Sequence, residues 1–304
     1  MIINTGLVAA GLKSEFFDRF ASQQTFFQDL CTEIASTKDK ENYKWLGSLP
    51  RMREWGTGRL AKGLRTESYD VDNHMYESTI EVDRDEISDD QTGQIRIRVG
   101  ELAVRAATHK DFLVSDLLKN GETSGFNSFD GVSFFNDAHA SGASGNQDNK
   151  LGAAAVAPTA PTTAEFKLAL NAAIGALLSF KDDVGDPLSI TATGLVTVVP
   201  PSMYLTALEA VSATLVSSTS NVLQGAARVI AFPWLAGAPT KFYLLKVDGV
   251  IRPLIFQSRE PVEFGALAEG SSEEFLREKY YYGVRARYNV TYGHPLYALV
   301  TTFA

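Results

Sequence analysis

The sequence is short of the residues that mark secreted, metal-bound or membrane-embedded proteins. It has a single cysteine, Cys31, in 304 residues, which excludes an intrachain disulfide and a thiolate metal cluster. Its four histidines (His74, His109, His139, His294) are scattered without close metal-ligand spacing. No apolar run approaches the length that spans a bilayer. Residues 1–11 lack the basic start of a signal peptide. Cations are in deficit too: 28 Lys and Arg stand against 36 Asp and Glu, for a formal net charge of −8. A protein that grips nucleic acid along its phosphates usually carries a basic surplus, so the balance argues against a dedicated DNA binder. The expectation is a chain made in a reducing cytoplasm, with no catalytic, cofactor or metal residue and no membrane partner.

What is present is ample core material. Hydrophobic residues make up 45% and charged residues 21%, ordinary for a globular protein of one large or two smaller domains. The organising stretch is 88–121. Ser88 and Gln91 have capping-box spacing, with Asp89 and Asp90 where a helix dipole favours anions. Ile95, Val99, Leu102, Ala106, Leu113 and Leu117 recur at helical steps, and Lys119, Asn120 and Gly121 close the run. About thirty residues at about 1.5 Å each give a spine of about 45 Å. Gly93 and Gly100 weaken its first turns.

The sharpest electrostatic feature precedes that spine. Between residues 51 and 66 five basic side chains (Arg51, Arg53, Arg59, Lys62, Arg65) face one acid, Glu54. Between 67 and 90 ten acids face Arg84 alone. Neighbouring blocks of one sign repel internally, and each wants an opposite partner. A basic segment that projects as a loop cannot neutralise its acidic neighbour along its whole length. Another copy of the chain would supply the missing surface, in a head-to-tail contact of the kind that builds rings or lattices. The plainer reading is a solvated hairpin with exposed charges. Trp55, in the basic block, and Glu77, Glu81 and Asp83, in the acidic one, complete the candidate contact set.

The rest of the chain reads in order. Residues 1–13 form an arm, and Phe16, Phe17, Phe20, Phe27, Leu30 and Ile34 predict a helix over 14–36. Residues 42–66 have loop or hairpin chemistry. Tyr76, Ser78, Ile80 and Val82 alternate with Glu77, Thr79, Glu81 and Asp83, which predicts a half-buried strand. After Gly121 the chain loosens through 149, and 153–161 form a stiff link. Thr162 and Glu165 form a second capping box before a helix on Phe166, Leu170, Ile174, Leu177 and Leu178. A buried strand follows over 195–199, then a helix from Ser202 to about Val216, and a strand over 228–233. Asp248-Gly249 predicts a hairpin between 241–247 and 250–257, with Pro253 pushing its second strand to an edge. Residues 271–277 form a short acidic turn. Tyr280, Tyr282, Val284, Ala286, Tyr288 and Val290 give the cleanest period-two strand, and 296–303 supplies one more. The spine would cover this terminal sheet, with 150–265 inserted as a mixed α/β domain.

Two chemical readings weigh little. Cys31 is either a nucleophile or a small buried hydrophobe, and nothing local would lower its pKa. Asp130, Asp137 and His139 have the residue types of an acid/base or metal site, but no flanking ligand pattern. A hydrolase using Cys31, His139 and an aspartate, and a binding protein with 150–265 as receptor, are the rivals outside the structural class.

Four segments together resemble the Mu-like major head subunit family of tailed bacteriophages: YKWLGSLPRMREW (43–55), VDRDEI (82–87), FDGVSFFNDAH (129–139) and YGVRARYN (282–289). The resemblance implies an α+β chain with the Hong Kong 97-type capsid fold. Its parts would fall on an N-terminal arm (1–49), an extended loop (50–80), a peripheral domain with the spine helix (81–125 and 266–304) and an axial domain (126–265). It implies a homo-oligomer of hexamers and pentamers forming an icosahedral shell around double-stranded DNA, which the shell touches weakly and without sequence specificity. Scaffold, portal and cement proteins would be separate chains. The virion, assembled in the bacterial host cytoplasm, is the implied location. An encapsulin-like shell enclosing cargo enzymes is the alternative on the same fold. Some relatives join subunits by a lysine–asparagine bond; Lys62 lies in the projecting segment, but nothing here identifies its partner, so no cross-link is assigned.

Overall fold

The computed structural model describes residues 5–43, 46, 69–89, 93–216, 219–268 and 270–304. In chain order its elements begin with α1 (Thr5–Ser22), α2 (Phe27–Leu30), β1 (Cys31–Ala35), β2 (Lys40–Asn42), β3 (Asp70–Asp72), β4 (His74–Asp83), α3 (Arg84–Asp89) and α4 (Gln94–Asn120). There follow β5 (Lys150–Ala153), α5 (Thr163–Ser179), β6 (Leu195–Val199), α6 (Tyr204–Ser212), β7 (Leu215–Val216), β8 (Thr219–Ser220) and β9 (Arg228–Ala231). The chain ends in β10 (Lys241–Lys246), β11 (Leu254–Leu267), α7 (Ser272–Arg277), β12 (Lys279–Tyr292) and β13 (Ala298–Phe303).

Two sheets carry the fold. The first has the order β1-β11-β12-β4 and the second β5-β13-β10-β6-β9. In the second sheet, period-two alternation deals each strand's side chains to two different cores. Leu195, Val199, Phe242, Leu244, Leu299 and Phe303 pack under α5 and α6. Val196, Val198, Tyr243, Leu245, Ala298 and Val300 join Val114 and Leu118 of α4, and Phe256, Tyr288, Val290 and Tyr292 of the first sheet. The spine thus closes one core shared by both sheets. Its first half serves a separate cluster, where Ile95, Val99, Leu102 and Ala103 meet Leu12 and Phe16 of α1 and Val82, Tyr280, Tyr282 and Val284.

Several expectations hold. β12 buries Tyr280, Tyr282, Val284, Ala286, Tyr288 and Val290 in strict alternation. The Thr162–Glu165 capping box forms with both of its hydrogen bonds. β4 and β6 occupy the anticipated stretches.

Others are corrected. The spine begins at Gln94, not at Ser88. Gly93 adopts φ 71°, a left-handed conformation that separates α4 from the short α3, and Ser88 lies inside α3. The buried face also turns: Ala107, Val114 and Leu118 are buried, while Ala106, Leu113 and Leu117 are half-buried. A straight helix that serves two cores at different azimuths cannot keep one stripe. The N-terminal helix is Thr5–Ser22, which takes in most of the expected arm. The expected continuation to residue 36 fails because Cys31–Ala35 is drawn into parallel pairing with Leu254–Ser258.

The helix expected from Ser202 to Val216 stops at Ser212, before the β7–β8 pair. Asp248-Gly249 does not close a hairpin. β10 and β11 belong to different sheets: β10 pairs with β13 and β6, and β11 with β1 and β12. Pro253 stands just before β11, which is an interior strand rather than an edge. The last strand, β13, does not share a sheet with β12 but lies between β5 and β10, redirected by the turn at Pro295–Tyr297; it meets the spine from the second sheet.

Candidate functional site

The outer face of the first sheet faces away from the spine, and its two ends differ. Ile255 and Gln257 of β11 are covered by the root of the 43–69 segment. β2 and β3 pair there from Lys40–Asp72 to Asn42–Asp70, and Tyr43 N–H extends the ladder to Tyr69 O at 2.9 Å. Tyr43, Leu46 and Val71 bury Ile255. Of the 42–66 stretch read as loop or hairpin, only Asn42, Tyr43 and Leu46 are described, and the rest lies outside the described residues. Arg51, Arg53, Trp55, Arg59, Lys62 and Arg65 lie outside the described residues.

The other end is open. Side chains alternate outward along β4, so Glu77, Glu81 and Asp83 share this face and are exposed. Their cross-strand partners on β12 are Arg285, Tyr281 and Lys279 respectively. Lys279 ion-pairs with Glu81, and its ammonium lies 4.0 Å from Asp83. Tyr281 O–H also donates to Glu81, at 2.9 Å. The Lys279 hydrogen bond, then that of Tyr281, holds the Glu81 carboxyl below its usual range. Arg285 pairs at 2.5 Å with Glu260 of β11 instead of Glu77, which accepts from Thr79 Oγ1 at 3.1 Å. The acidic block of 67–90 is therefore partly neutralised within its own chain. The sequence reading missed this because Lys279 lies about two hundred residues downstream and Lys40, 3.8 Å from both Asp70 and Asp72, lies upstream of the block.

Between these charged rows lies a trough. Gly265 and Gly283 are direct cross-strand partners, and no side chain rises from either. The space is about 440 Å³, walled by Glu77, Glu263 and Arg285 on one side and by Tyr281 and Leu267 on the other. A shallow, mixed apolar and acidic channel of this kind suits an extended segment that carries both cations and apolar side chains.

The two chemical candidates resolve differently. Asp130 and His139 are brought together, with Oδ2 2.5 Å from Nδ1, and both are buried; His139 Nε2 lies 3.1 Å from Phe134 O. Asp137 is exposed. With one ring nitrogen on a carboxylate and the other on a carbonyl, His139 clamps the irregular 121–149 segment. Cys31 is buried on β1, and its thiol is pushed up by burial and then by the charge of Asp111, the reverse of what a nucleophile needs. Among the described residues no group of three His, Cys, Asp or Glu is placed to hold a metal, and no helix is long and apolar enough to cross a membrane.

The sequence reading also missed Asp111. It is 2% exposed on the buried side of α4, and its Oδ1 accepts from the N–H groups of Phe26 at 3.0 Å and Phe27 at 2.7 Å. It thereby caps the single turn that leads into β1. An aspartate at a helical core position was the available signal.

A long helix shared by two sheets, with a hairpin root on the outer face of one of them, defines a class: the Hong Kong 97-type fold of phage capsid subunits. The chain superposes on a subunit of the procapsid of bacteriophage JBD30 with a TM-score of 0.59 and 23% identity, covering 99% of this chain and 76% of that one. On the bacteriophage PhiM1 mature capsid the TM-score is 0.61 at 10% identity, covering 92% and 87%. Within that class, residues 6–166, 155–235 and 236–302 match the Mu-like prophage major head subunit gpT family, and the chain belongs to it. It is 29% identical over 142 residues to the Mu-like prophage FluMu major head subunit of Haemophilus influenzae. That stretch is 46% of this chain and 45% of the relative, so the match spans less than half of the relative's length.

Proposed function

We propose that this chain is the major capsid subunit of a tailed bacteriophage, self-associating as hexamers and pentamers into an icosahedral shell around double-stranded DNA. The observation that carries the reading is the family match, which runs from residue 6 to residue 302 and so takes in both sheets and the spine. The role is architectural, not catalytic. The same match favours a head subunit over a cargo compartment.

The arm is 1–49 and the extended loop 50–80. The peripheral unit is 81–125 with 266–304, and the axial unit 126–265. Sheet membership supports two exchanges in this division: 254–265 to the peripheral unit, with the rest of β11, and 298–303 to the axial unit. In the contact between copies, Arg51, Arg53, Trp55, Arg59, Lys62 and Arg65 of one copy lie along the outer sheet face of the next, near Glu77, Glu81 and Asp83. Exposed ion pairs contribute about 0–1 kcal/mol each, so charge sets register and partner choice. Burial of Trp55 and its apolar neighbours in the trough supplies cohesion. A net charge of −8 lets packaged DNA move without sticking. Scaffold, portal and cement functions fall to other chains, and assembly takes place in the host cytoplasm before the subunit becomes part of the virion.

The test is electron microscopy of the purified chain at rising concentration and several salt concentrations. Shells, tubes or capsomers are expected; a compact monomer under all conditions overturns the reading. Reversing the charge of Arg51, Arg53, Arg59, Lys62 and Arg65 together is expected to abolish closed particles and leave unfolding unchanged. Normal particles from that variant would remove the electrostatic contact from the account.

A further inference from the structure

A buried polar relay runs between the root of the 43–69 segment and the first sheet. Gln257 of β11 is 0% exposed, although it sits on the outer face. Its Oε1 accepts from Tyr43 O–H at 2.6 Å. Its Nε2 donates to Asn73 Oδ1 at 2.8 Å and to Val71 O at 3.3 Å. Asn73 Nδ2 in turn donates to Ser36 Oγ and to Lys38 O, both at 2.8 Å. Ser36 Oγ lies 3.0 Å from Glu41 Oε1, which also accepts the N–H groups of Thr37 and Lys38 at 3.1 and 3.3 Å. Donors and acceptors alternate from a phenol to a carboxylate, and every amide hydrogen of Gln257 and Asn73 is used. The two sides of the root, 36–43 and 69–73, meet at this one glutamine.

Apolar packing alone does not require a glutamine there. Leucine or methionine would fill the space beside Tyr43, Leu46, Val71 and Ile255 with no polar group to satisfy. A fully satisfied buried network contributes direction more than adhesion, because any other seating leaves donors or acceptors unpaired in a dry site. The backbone ladder at the root spans only residues 39–43 against 69–73, too short to fix an angle by itself. Three hydrogen bonds to β12 complete the frame: Asn289 Nδ2 donates to Asp72 O at 2.7 Å, Tyr69 Oη lies 2.8 Å from Thr291 Oγ1, and Arg287 Nη2 donates to Asp39 Oδ1 at 3.0 Å.

We propose that Gln257 is a positioning residue for assembly: through Tyr43 and Asn73 it sets the angle at which the chain leaves the outer sheet face after Tyr43 and returns at Tyr69, and so aims the segment between them at a second copy of the chain. The local clamp stands on the geometry above; its consequence for assembly rests on the proposed capsid function.

The test uses the full chain with Gln257→Met, and with Tyr43→Phe, which removes one hydroxyl and keeps the ring. Hydrogen exchange is expected to rise about tenfold or more at the amides of Tyr43, Val71 and Asn73, with the β10 and β13 amides unchanged and the main melting transition kept. Particles are expected to lose their uniform diameter in electron micrographs. Unchanged exchange at the root in both variants overturns the clamp. Raised exchange with particles of parental geometry overturns the assembly role but not the capsid function, provided the charge-reversed loop variant still blocks assembly. If the parent chain forms no particles at any concentration, the capsid function fails, and exchange at the root alone decides the clamp.

Discussion

The two sheets of this molecule solve the same problem to different degrees. The five-stranded sheet is finished: β6 is buried at all five positions, and β10 at all but its first. Helices cover one face, and the spine with the other sheet covers the opposite one. The four-stranded sheet is finished on one face only. Its outer face is roofed at one end by the root of the 43–69 segment and carries charges, an exposed Leu267 and a glycine-floored trough at the other. The contrast separates residues that make the fold from residues left for the proposed contact. Damage to the five-stranded sheet should register as lost stability, and damage to the open face of the four-stranded one as lost association.

The largest effect should follow from Phe242→Ala in β10. Phe242 is 0% exposed and packs 4.8 Å, ring to ring, from Phe166 of α5. Removing a buried phenylalanine costs about 3–5 kcal/mol, which a denaturant titration would read as a lower midpoint. A loss below about 1 kcal/mol would mean that this sheet is less finished than its burial implies.

A smaller and pH-dependent effect belongs to Asp111, at the join between spine and edge strand β1. Burial, only partly offset by the Phe26 and Phe27 N–H groups, raises its pKa from 3.8 to about 6. Between those values the folded chain holds a proton that the unfolded chain has released, so raising the pH favours unfolding. The slope from this group is at most about 1.4 kcal/mol per pH unit. Asp111→Asn is expected to flatten the stability profile between pH 4 and 6 relative to the parent, whatever constant offset it adds. Parallel profiles in urea titrations at pH 4, 5 and 6 would show that Asp111 does not titrate there.

The finished and unfinished parts were not equally legible in the sequence. β12 could be read residue by residue, because one buried face writes its period directly into Tyr280, Tyr282, Val284, Ala286, Tyr288 and Val290. The α5 capping box was legible because both partners lie within four residues. Partners far apart in the chain leave no such trace. β1 resembles a helix until Leu254–Ser258 is seen beside it. Asp248-Gly249 has hairpin spelling, but the strands on either side pair with distant segments, β10 with β13 and β6, and β11 with β1 and β12. The acids of β4 read as an unpaired block because Lys279, which pairs with Glu81 and approaches Asp83, comes about two hundred residues later. Gln257 is silent in the sequence for the same reason: a lone glutamine in a strand shows its importance only when Tyr43 and Asn73 are found against it.

The smallest effect on folding should come from the trough, where the comparison can be made sharpest. Nothing lies within 4 Å of a Cβ placed on Gly265, and its φ is not left-handed. Gly265→Val therefore adds a side chain to open space on a strand, where valine is the better residue. Stability should change by less than about 1 kcal/mol, and in the favourable direction. The same side chain fills the channel between Glu77, Glu263 and Arg285 on one side and Tyr281 and Leu267 on the other, so a neighbour's basic and apolar segment can no longer lie there. Particle yield by sedimentation should fall while the melting temperature holds or rises. If shells form at the parental yield, the open end of this sheet is not where the next copy rests, and the contact must be sought elsewhere on the peripheral unit. If both yield and melting temperature fall, the glycine pair is serving the fold, and the division between the two sheets is less clean than their burial suggests.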